Sequence, residues 1–114
     1  MILPNARLAV VDERKVADYL LNGSHPDNGG KAQFFHALGY SNADPSQLAA
    51  ALRGVAVTGN VVSEVRSEHG NKYVVDGQLR SLFERRKDRL VRTVWIVELG
   101  DDAPRLVTAY PHAG

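Results

Sequence analysis

The stretch Arg105-Leu106-Val107-Thr108-Ala109-Tyr110-Pro111 has the pattern of a terminal β-strand. Side chains alternate between the two faces of a strand, so Thr108 and Tyr110 are predicted to share one face with Leu106. The small apolar side chains between them suit a face packed on helices. Pro111 has no amide hydrogen to donate, so strand pairing is expected to stop there. A hydroxyl and a phenol would then lie on an open sheet face, although an ordinary edge strand with a half-buried tyrosine has the same spacing.

Three further stretches upstream alternate in the same way, at residues 61–66, 72–76 and 91–98. The last is the strongest, being rich in β-branched and aromatic residues. Turns are expected at 68–71 and at Asp76-Gly77. Short connections of this kind join antiparallel neighbours, so the second half of the chain is predicted to be a meander of about four strands.

The first half of the chain has helical periodicity. Asp12 is a predicted helix cap, and Val16, Tyr19 and Leu20 follow at the spacing of one buried helical face. Two more helices are expected from Lys31 to about residue 38 and from residue 45 to 58. The sequence therefore predicts one α+β domain over residues 1–114, with N-terminal helices packed on an antiparallel meander sheet.

Composition excludes several classes of function. The chain has 114 residues, a net charge of +1 and no cysteine, so disulfides, thiolate metal sites and a cysteine nucleophile are excluded. No apolar run approaches the length of a membrane span, and the first residues lack the pattern of a signal peptide. We expect a cytoplasmic place of action and no membrane partner, although a toxin domain cut from a larger exported protein would have the same composition.

The connection at 80–92 concentrates positive charge in an otherwise nearly neutral chain. It holds two acidic residues, Glu84 and Asp88, against six basic ones: Arg80, Arg85, Arg86, Lys87, Arg89 and Arg92. Such a cluster indicates contact with phosphate and so with nucleic acid. A solvated loop or short helix with side-chain ion pairs is the alternative.

A second group of interest is His25 in a glycine-rich loop, six residues before Lys31. An imidazole titrates near neutral pH and an ammonium can stabilise charge developing on a phosphate, so the pair could serve one cleft. A surface histidine is the alternative. Paired histidines at metal spacing, a phosphate-binding glycine loop and a nucleophile elbow are all missing from the sequence, so no metal and no cofactor are predicted. RNA cleavage fits this inventory because RNA carries its own nucleophile, the 2′-hydroxyl.

The chain also resembles a small domain family found alone and at the C-terminal ends of bacterial polymorphic toxins. The stretches that carry this resemblance are Ile2-Leu3-Pro4-Asn5-Ala6, Asp18-Tyr19-Leu20-Leu21-Asn22, His25-Pro26, Lys31-Ala32-Gln33-Phe34-Phe35, Leu38-Gly39-Tyr40, Lys72-Tyr73-Val74-Val75-Asp76-Gly77, Arg92-Thr93-Val94-Trp95-Ile96-Val97 and Leu106-Val107-Thr108-Ala109-Tyr110-Pro111. The order of elements and the closing Thr-x-Tyr-Pro strand are similar to ribonuclease toxins of the barnase, EndoU, colicin D and RelE type. The resemblance implies a metal-independent endoribonuclease that forms a 2′,3′-cyclic phosphate on an open sheet face.

By this resemblance, His25 would act as general acid or base and Lys31 as a phosphate cation, with the catalytic set completed by Arg92, Thr108 and Tyr110. Arg92 or Arg80 would stabilise the pentavalent phosphate. The RNA-binding set would be Arg80, Arg85, Arg86, Lys87, Arg89 and Trp95, unless Trp95 belongs to the core. A small acidic immunity protein or antitoxin is the expected partner besides RNA. The competing hypothesis is a non-catalytic interaction module, such as an immunity protein, antitoxin or adaptor.

Overall fold

A computed structural model describes residues 1–112, in which three helices precede a four-stranded antiparallel sheet. The predicted α+β architecture, with helices first and a meander after, is confirmed. Each strand of the sheet pairs with the next along the chain, because the short connections between them allow only antiparallel neighbours.

The helical half begins with a 3₁₀ turn at Ala6–Leu8. The first helix, α1, covers Glu13–Lys15 and continues directly as a π-helical segment, Val16–Leu20. Helix α2 covers Lys31–Ala37 and α3 covers Pro45–Thr58. As predicted, the Asp12 carboxylate caps the first helix by accepting a hydrogen bond from the Arg14 amide. Among the described residues, no helix has the length and apolar character needed to cross a membrane.

The four strands are β1 (Asn60–Ser67), β2 (Gly70–Leu79), β3 (Arg89–Glu98) and β4 (Arg105–Pro111). The turn predicted at Asp76-Gly77 is wrong, because β2 runs through it. A Cβ at Gly77 would lie 3.1 Å from Val55 Cγ1 and 3.3 Å from Gly59 Cα. The glycine therefore permits close packing of β2 against α3 rather than a change of direction.

Strand β4 has the predicted bounds, but its faces differ from the prediction. Thr108 pairs with Val94 and Leu106 pairs with Trp95, so one extra residue, Val107, forms a β-bulge. The bulge shifts the alternation, and Leu106 joins the buried face with Ala109. The predicted face shared by Leu106, Thr108 and Tyr110 is therefore wrong for Leu106 only.

The core lies between one face of the sheet and the three helices. Alternate residues of β3, Val91, Thr93 and Trp95, are fully buried there, while the residues between them are only partly buried. The other side of the sheet, which we call the open face, carries these partly buried side chains. Any site on this sheet that is accessible to a ligand must therefore lie on the open face or at one of the two edges, β1 and β4.

Candidate functional site

The candidate site is centred on Tyr19, in the π-helical segment after α1. The Leu21 amide donates to the Val16 carbonyl at 2.9 Å, the i to i+5 bond that defines this segment. The wide turn leaves Val16 and Leu20 buried but brings Tyr19 to a partly exposed position. The prediction of Tyr19 on the buried helical face is thus wrong in part. Segments of this kind are rare and recur at functional sites.

Asn28 fixes the segment to the start of α2. Its side chain is 2% exposed and its amide nitrogen donates to the carbonyls of Tyr19 at 2.6 Å and Leu20 at 3.3 Å. Its amide oxygen accepts from the Ala32 N–H at 2.9 Å. A buried amide with all these partners holds its surroundings in one arrangement. Asn28 therefore sets the position of Tyr19 relative to Lys31.

Two side chains hydrogen-bond to the Tyr19 phenol. The Lys31 ammonium donates to the phenolic oxygen and lies 4.8 Å from the ring centroid. The Thr108 hydroxyl, from β4, lies 3.3 Å from the same oxygen. The structure thus brings together Lys31 and Thr108, which are both members of the predicted catalytic set, through a tyrosine that the prediction did not include. We call Tyr19, His25, Lys31 and Thr108 the Tyr19 centre.

The environment of Tyr19 lowers the pKa of its phenol. Partial burial acts to raise the pKa of the phenol, but hydrogen bonds from Lys31 and Thr108 and the charges of Lys31 and Lys15 outweigh it. The net pKa lies below the ordinary value for tyrosine. A phenol with a lowered pKa is a better general base near neutral pH than an ordinary tyrosine.

His25 packs its ring edge-on against Tyr19, with ring centroids 5.0 Å apart. Its Nδ1 accepts a hydrogen bond from the Asp27 amide at 3.1 Å. The neutral ring therefore carries its proton on Nε2 and offers that N–H as a donor. The predicted His25–Lys31 proximity is present through Tyr19, and the geometry gives His25 the role of a donor rather than of a base.

A second group lies on the open face where β2, β3 and β4 meet. Arg92 holds Asp76 through two hydrogen bonds of 2.8 Å each, Nε to Oδ1 and Nη2 to Oδ2. His112 Nε2 lies 3.3 Å from Arg92 Nη2 and 3.5 Å from Asp76 Oδ2. Tyr110 is the residue opposite Arg92 on β4. We call Asp76, Arg92, Tyr110 and His112 the Arg92 cluster.

The charges of this cluster stabilise one another. Hydrogen bonds from Arg92 hold the pKa of Asp76 below its ordinary value against the opposing effect of burial. The pKa of Arg92 is raised, first by its hydrogen bonds to Asp76 and more weakly by the neighbouring Tyr110 phenol. Arg92 is therefore already engaged by a carboxylate, and its predicted role toward phosphate stays a prediction.

Strand β4 connects the two groups. Thr108 and Tyr110 pair with Val94 and Arg92 and lie two residues apart on the open face. Their backbone positions are thus separated by roughly 7 Å, twice the rise of a strand. The Tyr19 phenol contacts β4 at Thr108, and Tyr110 belongs to β4 two residues further on, so both phenols lie along the strip of β4 from Thr108 to Tyr110. His25 contacts Tyr19 beside one end of this strip, and Tyr110 lies opposite Arg92 at the other end.

The predicted RNA-binding residues divide into two kinds. Trp95 is fully buried and donates its indole N–H to Thr93 at 2.7 Å, so the stacking role is wrong and the core interpretation holds. The basic side chains, in contrast, are exposed in or beside the loop at 80–88 that joins β2 to β3: Arg80, Arg85, Arg86, Lys87 and Arg89. We call residues 80–88 the basic loop. The loop forms no helix, so the solvated-loop alternative describes its conformation.

Sequence reasoning missed Tyr19, Asn28 and Asp76. Tyr19 had the spacing of a buried residue, and Asn28 was one of several polar residues in a turn-rich loop. The one local signal was the pairing of an asparagine with a downstream lysine in that loop, which is too common to indicate a site. Within residues 1–112, no three side chains of the metal-ligating types are grouped so as to hold a metal ion.

Three comparisons place the chain among known proteins. The model of the family described as "Domain of unknown function (DUF6883)" matches residues 2–113. A search of curated proteins found no match. Among solved structures, a chain from a "Contact-dependent growth inhibition toxin - immunity protein complex" of Klebsiella pneumoniae 342 has a TM-score of 0.73 at 20% identity, covering 96% of this chain and 97% of that one. At this identity the likeness shows a common fold.

Proposed function

The chain belongs to the DUF6883 family, and we propose that it is a toxin domain of the growth-inhibition kind that cleaves RNA at the Tyr19 centre without a metal ion. The observation that carries the proposal is the Tyr19 phenol held between the Lys31 ammonium and the Thr108 hydroxyl. A solved structure of the same fold comes from a toxin–immunity complex, which supports the toxin class. The resemblance to barnase, EndoU, colicin D and RelE toxins supports RNA as the substrate.

In the proposed reaction, ionised Tyr19 takes the proton of the 2′-hydroxyl, and the 2′-oxygen attacks the adjacent phosphorus. The bond from phosphorus to the 5′-oxygen breaks, and Tyr110 gives its proton to that leaving oxygen. The products are a 2′,3′-cyclic phosphate and a 5′-hydroxyl, and proton exchange with solvent returns Tyr19 to the phenolate and Tyr110 to the phenol. Lys31 and the Nε2–H of His25 hold the phosphate oxygens as charge develops on them.

The geometry of β4 supports the division of roles between the two tyrosines. In-line displacement needs a base and an acid on opposite sides of the phosphorus. Thr108, beside Tyr19, and Tyr110 lie two residues apart on one face of β4, so a phosphate over this strip would have one phenol near each end. Arg92, which lies opposite Tyr110 and is fixed by Asp76, would orient the Tyr110 phenol.

The experiment that tests this proposal is incubation of the purified protein with total RNA in a chelator, followed by analysis of the new ends. We expect 2′,3′-cyclic phosphate and 5′-hydroxyl ends, and no cleavage of an oligonucleotide with 2′-deoxyribose at the cut site. Tyr19→Phe should lower the rate by about 10²–10⁴-fold, the range for a lost general base. Tyr73→Phe is the matched control, since this phenol lies on β2, outside both groups. Equal rates for the two variants, or 3′-phosphate ends formed from deoxy substrate, would contradict the mechanism.

An immunity or other interaction role is the second candidate, because the solved relative's complex contains both a toxin and an immunity protein. Its supporting observation is β1, an edge strand with seven of its eight residues exposed. Val62 and Val65 are 51% and 59% exposed on this strand, and such an edge can pair with another chain. Under the toxin proposal, a small acidic immunity protein is the expected partner of the basic loop. Under the alternative, the chain binds its partner and leaves RNA intact.

A further inference from the structure

A small depression beside α2 combines an aromatic ring with three cations. It has a volume of about 160 Å³ and is lined by Phe34, Ala37, Leu38, Arg86, Lys87 and Arg89. We call it the Phe34 depression. The guanidinium carbon of Arg89 lies 5.6 Å from the Phe34 ring centroid, within cation–π range.

The ring gives Arg89 a defined position. A guanidinium resting on an aromatic face keeps its N–H groups directed outward from the edge of its plane, where they can bind a phosphate through two parallel hydrogen bonds. Among the ion pairs of residues 1–112, none joins Arg86, Lys87 or Arg89 to a carboxylate. The three cations are thus available to an anionic ligand.

The basic loop that carries Arg86 and Lys87 is tied to the body of the protein. The Asp88 carboxylate accepts from the Ser81 amide at 2.9 Å, which closes the loop at its base. The Leu82 amide donates to the Leu38 carbonyl, at the end of α2, at 2.8 Å. Tying a loop in this way reduces the entropy lost when its side chains bind a ligand.

Helix α2 links the depression to the Tyr19 centre. Lys31 and Phe34 are three residues apart, which makes them neighbours on the helix surface, about 4.5 Å apart along the axis. A strand whose reacting phosphate lies at Lys31 would therefore carry its next phosphates past Phe34 and Arg89. This direction follows α2 from the sheet edge to the basic loop.

We propose that the Phe34 depression is a second phosphate-binding subsite for single-stranded RNA, in which Phe34 supports Arg89, and Arg86 and Lys87 complete the cationic rim. This inference rests on the proposed function, because it takes the strand to be the one cleaved at the Tyr19 centre. In it, Phe34 is a positioning residue that acts through Arg89.

The test uses the Tyr19→Phe protein, which should bind RNA without cutting it, and a short unstructured RNA oligonucleotide as the probe. Arg89→Gln should weaken binding about 10-fold, and Phe34→Leu, which keeps every charge, about 2- to 5-fold. The slope of log affinity against log salt should fall by about 0.7 with Arg89→Gln, as for one lost phosphate contact to a single strand. Arg53→Gln is the matched control: it removes the same charge from an exposed position on α3, outside the depression and the basic loop, and should change affinity less than about 2-fold.

Kinetics on the otherwise unaltered protein separate this inference from the proposed function. Arg89→Gln should raise KM with little change in kcat, whereas Tyr19→Phe lowers kcat. Absence of cleavage by the unaltered protein would remove the proposed function, yet the oligonucleotide measurement would still decide the subsite. Equal effects of Arg89→Gln and Arg53→Gln would overturn the subsite. The subsite would also be overturned if Arg89→Gln abolished binding to a protein partner and left the affinity for RNA unchanged. Because Arg89 is exposed, its variant remains informative even if Phe34→Leu unfolds.

Discussion

Tyr19 owes its chemistry to the neighbours that the fold places around it. Burial is the largest single influence on the pKa of its phenol and raises it, but the hydrogen bonds from Lys31 and Thr108 and the charges of the two nearby lysines together lower it by more. Lys31 contributes both a hydrogen bond and a charge, whereas Lys15, 6.0 Å from the ring centroid, contributes charge alone. Replacing each lysine in turn therefore separates the effect of a direct hydrogen bond on the pKa of Tyr19 from the effect of a more distant charge.

Lys31→Met should raise the pKa of Tyr19 toward that of an ordinary tyrosine, because a hydrogen bond and a charge that favour the phenolate are both lost. The ultraviolet absorbance of tyrosinate, with the Tyr19→Phe titration subtracted, measures this pKa directly. The rising limb of the cleavage rate against pH should move in the same direction, to higher pH. The rate at neutral pH should fall about 10-fold or more.

Lys15→Met is the control and should move the titration less. A Lys31→Met protein that titrates like the original would remove Lys31 as the cause of the lowered pKa.

The lowered pKa of Tyr19 also has a consequence for the stability of the fold. Since the pKa of Tyr19 is lower in the folded protein than in the unfolded chain, its ionisation adds stability above the unfolded pKa. That contribution is lost as the pH falls through the folded pKa.

At the scale of single residues, Lys31, His25 and Thr108 could each be predicted from the sequence, but their contacts with Tyr19 could not. Residue type and loop position predicted the chemistry of each one. Their convergence depends on the π-helical turn that brings Tyr19 out of the core, and on a bond between residues 28 and 19 that only the folded loop makes. Trp95 shows the opposite case, because an apolar strand context already indicated the burial that the structure has.

At the scale of elements, glycines decide how closely α3 approaches the sheet. Gly59 ends α3 with backbone that any residue can adopt, but a Cβ there would lie 2.7 Å from the carbonyls of Asp76 and Val55. Gly54, in the exposed interior of the same helix, has no such neighbour within 4 Å. A side chain therefore fits at Gly54 but not at Gly59, although both glycines belong to the same helix or its end.

Gly54→Ala should therefore stabilise the protein, by up to about 1 kcal/mol, because alanine restricts the unfolded chain and suits a helix. Gly59→Ala should destabilise it by about 2 kcal/mol or more, since main-chain atoms must move to admit the methyl group. Denaturant unfolding of both variants measures the two free energies. The opposite order would show that α3 does not pack on β2 as the structure has it.

Some features of the strands have a local cause in the sequence, and others depend on contacts with distant residues. The bounds of β4 were predictable from the alternating pattern, which ends at Pro111, although the His112 amide still donates to the Leu90 carbonyl at 3.2 Å. Its faces were not, because the bulge at Val107 arises from register with β3. The extension of β2 through Gly77 likewise depends on the packing of α3, a contact with no local signature.

At the scale of the whole molecule, the net charge of +1 conceals a separation of charge. Arg89, beside the basic loop, begins β3, and Glu98 ends it, followed by Asp101 and Asp102. Ten residues of strand place these ends roughly 30 Å apart. Under the toxin proposal, an RNA strand and an acidic immunity protein should both be attracted to the end of the molecule near the Phe34 depression, and the two ligands should compete.

Expression in a bacterial host distinguishes the two proposed functions in one measurement. If the chain is the toxin, induction of the unaltered protein should stop growth, and Tyr19→Phe should restore it, because loss of the base lowers cleavage by about 10²–10⁴-fold. Tyr73→Phe should still arrest growth, provided that blots show equal amounts of the three proteins. If the chain is the immunity or interaction member, all three cultures should grow alike, and alteration of Val62 and Val65 on β1, rather than of Tyr19, should abolish partner binding. Growth arrest that persists in Tyr19→Phe would contradict both, since it would require a toxic activity outside the Tyr19 centre.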